Sequence, residues 1–524
     1  ALYESGSLEN SLVFLANKRV ETGCSLPIFG GKMAKRIPKT EAPEQIRVKH
    51  APETLERFCE VYIPQAPSVY TYGVPSGLFA GPEIRRGSVV WVQFATRKAP
   101  SLAVVSKVHS ERPAFNVRCA YPHASGYVFS ERYMESLEWV ARYYISTPMK
   151  ALDVFWPADF GKYLDALAAR QAEAGEVSGE ACDSGNDCAG SSGFEMPARP
   201  DVPPLTDEQQ VALDSLVSDL SGTGFRGSLL HGVTGSGKTR VYQELAYEAL
   251  NRGLRVLILV PEIGLTPQTA GRFEDFLRVP VHVLHSALSA PKRRESFVSI
   301  LEGSARVVLG TRSAILAPFD FDVVILDEEH DSSFKQQDPA PRYHTRELAF
   351  HLAYKYGALV VLGSATPCIE TFHNASTDKL KYLKLQKRAT SASLPEVSIV
   401  DMGNVRQQKG ILMSPDLRDA LVKCVADGDQ AIVLMNRRGY SKVRICGECG
   451  ETLYCKNCHV PLVYHRQYNS LLCHYCGLLY PVNTPCRACG AETYEFVGGA
   501  IEKLEEEILE WVPDAKIVRM DRDT

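Results

Sequence analysis

From residue 58 onward, apolar and polar positions alternate in short runs at 60–63, 68–72, 88–94 and 102–108, separated by turn residues (Pro75-Ser76-Gly77, Gly81-Pro82, Arg86-Gly87). A period of two with that punctuation predicts a small all-β domain. The period lengthens over 130–144 and 149–155, which predicts helices in a winged-helix-like module. Periodicity then fades into a linker whose core, Gly185-Asn-Asp-Cys-Ala-Gly-Ser-Ser-Gly193, is too small and polar to bury, and Pro203-Pro204 closes it. From residue 205 to about 370, apolar runs alternate with helical patterns, the signature of βαβ units on a parallel sheet. A second such region begins near 411, is interrupted by a cysteine block and resumes at 500. The predicted organisation is an unassigned N-terminal extension (1–55), a β-rich domain (56–125), the helical module (126–170), a low-complexity linker (171–204), an α/β lobe (205–400) and the start of a second lobe (401–524) with a cysteine-rich module at 445–491. The chain begins with Ala1, has no methionine before Met33, and is expected to stop inside a domain.

At 524 residues the chain is long enough for three or four domains of about 150 residues each. Its 45% hydrophobic and 23% charged composition excludes wholesale disorder. A net charge of −4, from 58 basic and 62 acidic residues, excludes a bulk polycation that coats nucleic acid by charge alone. A local basic stretch remains: Arg85, Arg86, Arg97, Lys98 and Lys107 lie between residues 84 and 110 with no acidic residue among them. No run of apolar residues is long enough for a membrane span and no secretory signal opens the chain, so the expected location is cytoplasmic.

The sharpest chemistry is Gly232-Val-Thr-Gly-Ser-Gly-Lys-Thr239, between a short apolar run (228–231) and a helical pattern (241–250). In that context Gly232, Thr234, Gly235, Ser236 and Gly237 form a phosphate-cradling loop. Lys238 reaches the β- and γ-phosphates of ATP, and the Thr239 hydroxyl ligates Mg²⁺. Further on, Val323-Val-Ile-Leu326 delivers Asp327-Glu328-Glu329-His330 at a strand end, with Asp327 expected to hold Mg²⁺ and Glu328 to act as general base on the attacking water. After it come Ser332-Ser-Phe-Lys-Gln-Gln337 and Pro341-Arg-Tyr-His-Thr-Arg346, where Phe334 and Tyr343 are expected to offer stacking faces to single-stranded nucleic acid and Lys335 to offer charge.

Fifteen cysteines without a secretory signal argue for metal binding rather than a disulfide framework. Eight form four Cys-x-x-Cys pairs: Cys446/Cys449, Cys455/Cys458, Cys473/Cys476 and Cys486/Cys489. Eight thiolates suffice for two tetrahedral zinc sites. Spacing alone leaves three ways of combining the pairs.

Lys238 and Asp327 in this order, with Gly363-Ser-Ala-Thr-Pro367 downstream, resemble superfamily 2 helicases. By that resemblance Glu208-Gln209 is the adenine-reading element, and the segments 261–268 and Gly310-Thr-Arg-Ser313, with Thr311 and Arg312, grip single-stranded backbone. The β domain, the Asp-Glu-Glu-His motif and eight cysteines after Asn436-Arg-Arg-Gly-Tyr440 together resemble the PriA family of primosomal helicases. The resemblance implies RecA-like helicase lobes, 3′→5′ unwinding, recognition of stalled forks and reloading of the replicative helicase. It implies primosome proteins and single-stranded-DNA-binding protein as partners, and Tyr70, Tyr72, Arg85 and Arg86 as contacts to a nascent 3′ end. It also assigns one zinc to Cys446, Cys449, Cys486 and Cys489, and the other to Cys455, Cys458, Cys473 and Cys476. Two departures stand out. Gly498-Gly-Ala-Ile-Glu502 replaces the family's Gly-x-Gly-Thr-Glu, and the chain stops before the family's Gln…Gly-Arg-x-Gly-Arg segment, so this piece is expected to bind ATP and DNA but to hydrolyse ATP weakly. Competing readings are another superfamily 2 translocase, or a zinc-dependent fork-binding scaffold that recruits primosome proteins without ATP turnover.

Overall fold

The computed structural model describes residues 11–16, 55–75, 83–94, 97, 99–157, 159–177, 196–261, 267–389, 396–401, 413–435, 443–465, 470–473, 475–497, 501–513 and 515–520. The chain divides into two compact units, one of residues 31–393 and one of residues 1–30 with 394–524.

In the larger unit, β2 (Arg57–Tyr62), β3 (Tyr70–Val74), β4 (Val89–Val92), β5 (Ser101–His109) and β6 (Tyr121–Pro122) form an antiparallel sheet in the order β3-β2-β5-β4-β6. The strands expected over 60–108 are present with their ends displaced by a few residues, but burial does not alternate along them: β5 buries four consecutive residues, Ala103 to Ser106. Three helices follow. Helix α1 (Glu131–Tyr143) starts where the Ser130 side chain accepts the Tyr133 N–H, and α2 (Pro148–Phe155) where Thr147 caps and Pro148 supplies the preset first-turn φ. Helix α3 (Phe160–Val177) runs seven residues into the segment expected to be linker, because residues 168 to 174 are Ala, Arg, Gln and Glu, all good helix formers, and carry the helix on to Gly175 and the two residues after it. Residues at the far end of that segment are also tied down: Arg199 pairs with the buried Glu244, and the Pro197 carbonyl accepts the Tyr247 hydroxyl at 3.0 Å.

The α/β lobe comprises α4 (Asp207–Asp219), β7 (Arg226–Gly232), α5 (Lys238–Asn251), β8 (Val256–Leu259), α6 (Pro267–Leu277), β9 (Val281–Leu284), α7 (Ala290–Leu301), β10 (Val307–Gly310), β11 (Val323–Asp327), α8 (Thr345–Tyr356), β12 (Leu359–Ser364), α9 (Ile369–Ser376) and β13 (Lys381–Leu385). Seven strands run in the order β13-β7-β12-β11-β8-β10-β9, all parallel. Strands β8, β10 and β12 are buried along their whole length, as expected of a parallel sheet covered by helices on both faces. Helix α1 lies along this lobe. Ser130 donates to Asp320 (3.0 Å), the Arg132 guanidinium sits 4.5 Å over the Phe321 ring, and Lys355 pairs with Glu135 at 2.5 Å.

In the smaller unit, β1 (Ser11–Ala16) pairs antiparallel with β14 (Ala431–Met435) and β20 (Lys516–Met520), so the segment read as an unassigned extension contributes a strand. Helices α10 (Pro415–Ala426) and α11 (Ile501–Trp511) supply Leu421, Val425, Leu504 and Ile508 to a small core. The cysteine-rich module is a second sheet, β18 (Leu479–Pro481), β17 (Ser470–Leu472), β16 (Val463–His465), β15 (Val443–Cys446) and β19 (Tyr494–Val497) in that order.

Candidate nucleotide, nucleic-acid and metal sites

Strand β7 ends in the glycine-rich loop and α5 begins at Lys238. Gly235 and Gly237 have φ of 81° and 80°, a region open to glycine, and a Cβ on Gly237 would meet Gln209 Nε2 at 2.4 Å. Gln209 closes a capping box with Thr206 and donates to the Ser236 carbonyl at 2.8 Å, which fastens α4 to the loop. Thr234, Gly235, Ser236, Gly237, Lys238 and Thr239 thus follow one another around a turn into a helix N-terminus. Lys238 Nζ donates to the Gly232 carbonyl (3.2 Å) and lies 3.6 Å from Glu328 Oε1. The Ser236 hydroxyl is buried and lacks a hydrogen-bond partner, a vacancy that an anionic phosphate at the helix N-terminus would fill.

Asp327 ends β11 beside this loop. Tyr242, one turn into α5, donates its hydroxyl to Asp327 Oδ1 at 3.0 Å, and the Glu328 N–H donates to the same oxygen at 3.1 Å. Burial first, and then the neighbouring Glu328 carboxylate, push the Asp327 carboxyl above its ordinary range, while Tyr242 and Lys238 pull it back. The backbone of Glu328 has φ +47°, an unfavourable region for this residue type. That conformation places its two carboxylate oxygens between Lys238 and His330 Nδ1 (3.6 and 3.7 Å). His330 Nδ1 lies 2.8 Å from Ser364 Oγ at the end of β12. Sequence reasoning missed Tyr242, whose signal is faint: a helix position facing the acidic strand one turn after Lys238.

Glu329 is buried and fully engaged. It accepts from Arg346 (3.0 Å), the Cys368 N–H (2.8 Å) and Thr371 Oγ1 (3.0 Å), and its own N–H donates to the Gly363 carbonyl. The segment after the acidic motif is thereby tied to the segment after β12.

The nucleic-acid candidates fare unevenly. Phe334 and Tyr343 are wholly buried, which corrects the expectation that they present open stacking faces. The intervening loop folds on itself: Lys335 pairs with His344 as an antiparallel bridge, Gln336 N–H donates to the Tyr343 carbonyl (2.9 Å), and Thr345 Oγ1 donates to the Phe334 carbonyl (3.1 Å). With its polar groups satisfied locally, the loop can put both rings inside. Arg312 donates to Gln336 Oε1 (2.8 Å) and the Ser333 carbonyl (3.2 Å), bracing that loop, and Thr311 is buried. Tyr72 is also buried, its hydroxyl against the Gln93 carbonyl at 3.3 Å, and Arg86 is clamped by Glu138 and Glu131. Both were expected as DNA contacts, and both instead join the β-sheet to α1 or close its core. Tyr70 is partly exposed and packs edge-on against Phe94 (4.9 Å), over which the Arg97 guanidinium sits at 4.9 Å, and Arg85 is exposed. The segment 262–266 lies outside the described residues, as do Asn436-Arg-Arg-Gly-Tyr440, Lys98 and the first three residues of the 498–502 turn.

The eight thiols gather as two sets, Cys446/Cys449/Cys486/Cys489 and Cys455/Cys458/Cys473/Cys476, with the sulfurs of each set within 4.8 Å of one another. All four pairs use one turn. The N–H four residues after the first cysteine returns to that cysteine's carbonyl: Gly450 to Cys446 (3.0 Å), His459 to Cys455 (3.1 Å), Gly477 to Cys473 (2.8 Å) and Gly490 to Cys486 (2.8 Å). The donor residue always has positive φ, 74°, 54°, 73° and 75°, which explains three glycines and makes His459 the strained member. Tyr480 donates its hydroxyl to Cys455 Sγ at 3.4 Å and accepts the Lys456 N–H. Four clustered sulfurs, with hydrogen-bond donors turned towards them, fit Zn²⁺ in both sets.

Comparison with known proteins finds three family matches along the chain. Residues 60–157 match the 3′DNA-binding domain (3′BD) of PriA, a match that continues through α1 and α2. Residues 203–369 match the family described as type III restriction enzyme, res subunit, and 455–481 match the PriA DNA helicase Cys-rich region. Replication restart protein PriA from Bacillus subtilis is 40% identical over 323 residues, which cover 61% of this chain and 40% of the relative. Its namesake from Haemophilus influenzae is 40% identical over 321 residues, covering 61% and 43% respectively. The Synechocystis protein of that name is 39% identical, covering 62% and 40%. The chain spans less than half the length of these relatives.

Proposed function

We propose, from the similarity of this chain to PriA proteins, that it is the ATP-binding and DNA-binding portion of a 3′→5′ DNA helicase of that family, which recognises stalled replication forks and promotes reloading of the replicative helicase. One observation carries the reading: Lys238 and Glu328 lie 3.6 Å apart, beside Asp327, in a chain that also carries a 3′-end-binding domain and a zinc-type module. Lys238 and the amides of 235–239 bind the triphosphate of ATP. Asp327 and the Thr239 hydroxyl hold Mg²⁺, which neutralises charge on the transferring phosphoryl group. Glu328 takes a proton from the attacking water, and its position between Lys238 and His330 sets its orientation. Through Ser364, His330 links that carboxylate to β12; through Arg346, Glu329 links the same motif to the helix that follows the loop of Phe334, Lys335 and Tyr343, and through Cys368 to the segment after β12.

The half-buried Tyr70, Phe94 and Arg97, which pack together, and the exposed Arg85 take the 3′ end of a nascent strand. Thr311, Arg312 and Lys335 lie on the lobe that follows single-stranded backbone. Each tetrathiolate set holds one Zn²⁺, and the module they organise offers a surface to primosome proteins and single-stranded-DNA-binding protein. The test is strand displacement by the intact protein on a forked duplex, with the nascent strand ending in a 3′ hydroxyl or blocked there. Unwinding that needs ATP, prefers the free 3′ end and vanishes in Lys238→Ala is the expected result. Fork binding without any ATP-dependent displacement overturns it.

A further inference from the structure

Because Phe334 and Tyr343 are buried, a ring able to stack on an unpaired base has to be found elsewhere on the larger unit. One arrangement meets the requirement. In the last turn of α1, the Tyr143 ring stacks on Trp139 with centroids 4.6 Å apart and planes 19° from parallel, and Trp139 stacks on His351 of α8 at 4.2 Å and 10°. The three rings form a column with its His351 end on the lobe and its Tyr143 end open: Tyr143 is 55% exposed. Tyr144 meets the column edge-on, 5.0 Å from Tyr143 and 6.3 Å from Trp139, and fixes its direction. The next residue, Ile145, is 96% exposed in a left-handed conformation (φ 49°), so the chain turns away and leaves the Tyr143 face uncovered.

The charges around the column are mostly positive. Arg142 is exposed on the same turn and forms no ion pair among the described residues, Lys335 Nζ sits 5.1 Å over the Tyr144 ring, and Arg342 is exposed on the adjoining loop. Burial, Lys355 and Arg142 hold His351 below its ordinary pKa against the opposing Glu135, so its ring remains a neutral stacking partner at neutral pH. Glu135 is itself paired with Lys355 and Glu347 with Arg346, which leaves the open end of the column bordered by cations.

We propose that the Tyr143–Trp139–His351 column is a stacking site for one unpaired nucleobase of single-stranded DNA, with Arg142 and Lys335 placed to neutralise its flanking phosphates. The inference rests on the DNA-binding reading above and adds a contact separate from the Tyr70–Phe94 face. It is sequence-tolerant, because every base has a π face.

The test is equilibrium binding of a fluorescent oligothymidylate, 3′-phosphorylated so that affinity does not depend on a free 3′ hydroxyl, to the intact protein and to Tyr143→Ala and Tyr143→Phe. One base–aromatic stack predicts roughly tenfold weaker binding for the alanine variant, affinity within about twofold of the parent for phenylalanine, and the same melting temperature for all three. A single 2-aminopurine in the oligonucleotide should be quenched by the parent and by Tyr143→Phe but not by Tyr143→Ala. Unchanged affinity and quenching in Tyr143→Ala, or an equal loss in Tyr143→Phe, overturns the stacking site while leaving the DNA-binding reading in place. No binding by the parent protein overturns both.

Discussion

Tyr242 shows how one hydroxyl can set the working range of a buried carboxylate. Its hydrogen bond to Asp327 opposes the upward push of burial and of Glu328. Tyr242→Phe removes that opposition, so the Asp327 carboxyl should titrate at higher pH and the acid limb of the ATPase pH profile should move upward. A profile of kcat/KM against pH that superimposes on the parent's would refute this role. His344 titrates the other way. Burial first, with Arg346 and Lys335, holds it down to about 4, so between the ordinary histidine value and about 4 the unfolded chain takes up a proton that the folded protein refuses. Stability should therefore fall as pH drops through that window. His344→Asn keeps a side-chain acceptor at the start of α8, and melting curves from pH 7 to 4 should show a shallower loss for this variant. These two residues also mark the limit of sequence reading. Lys238 and Asp327 are legible because phosphate and Mg²⁺ demand particular residues at fixed places in a strand–loop–helix unit. Tyr242 lies 85 positions from its carboxylate, and nothing local marks it.

At the scale of elements, α1 is fastened to the residues ahead of β11 by Ser130–Asp320 and Arg132–Phe321, and to α8 by Glu135–Lys355 and Trp139–His351. The line ends at Tyr144, whose hydroxyl oxygen accepts the His344 N–H at 2.8 Å. A helix belonging to the DNA-binding match thus holds the loop that leads back, through Arg346 and Glu329, to Asp327. Tyr144→Phe should leave basal ATP turnover near the parent value and reduce its stimulation by DNA several-fold; equal stimulation in the two proteins would show that the contact is only structural. The loop itself was misread from sequence because an aromatic residue beside basic ones has the same pattern whether it faces solvent or the core. What decided between them was the loop's internal pairing of Gln336, Tyr343, Phe334 and Thr345, which depends on a reversal that no local propensity announces. Helix α3 was underestimated for the opposite reason: its Ala-rich end has weak amphipathicity, so helix-forming preference persisted after the periodic signal had faded.

For the whole molecule, the α/β order and the parallel sheet were legible from alternating apolar runs, and the two-metal capacity from eight cysteines. How the cysteine pairs combine was not readable from spacing, since the choice depends on how β15 to β19 fold back on one another. Zinc content gives a direct check: the parent should carry two Zn²⁺ per chain, and Cys446→Ser or Cys455→Ser about one. Either variant should still bind a fluorescent ATP analogue, because the phosphate loop belongs to the other compact unit. A variant that loses both metals, or ATP binding with them, would contradict independent sites. The central claim, that a phosphate loop and an acidic strand end work together under the control of DNA, is tested most directly by steady-state ATP hydrolysis in the intact protein, with and without single-stranded DNA, beside Lys238→Ala. The account predicts turnover raised at least tenfold by DNA and abolished in the variant. Turnover that ignores DNA, or that survives the loss of Lys238, would contradict it.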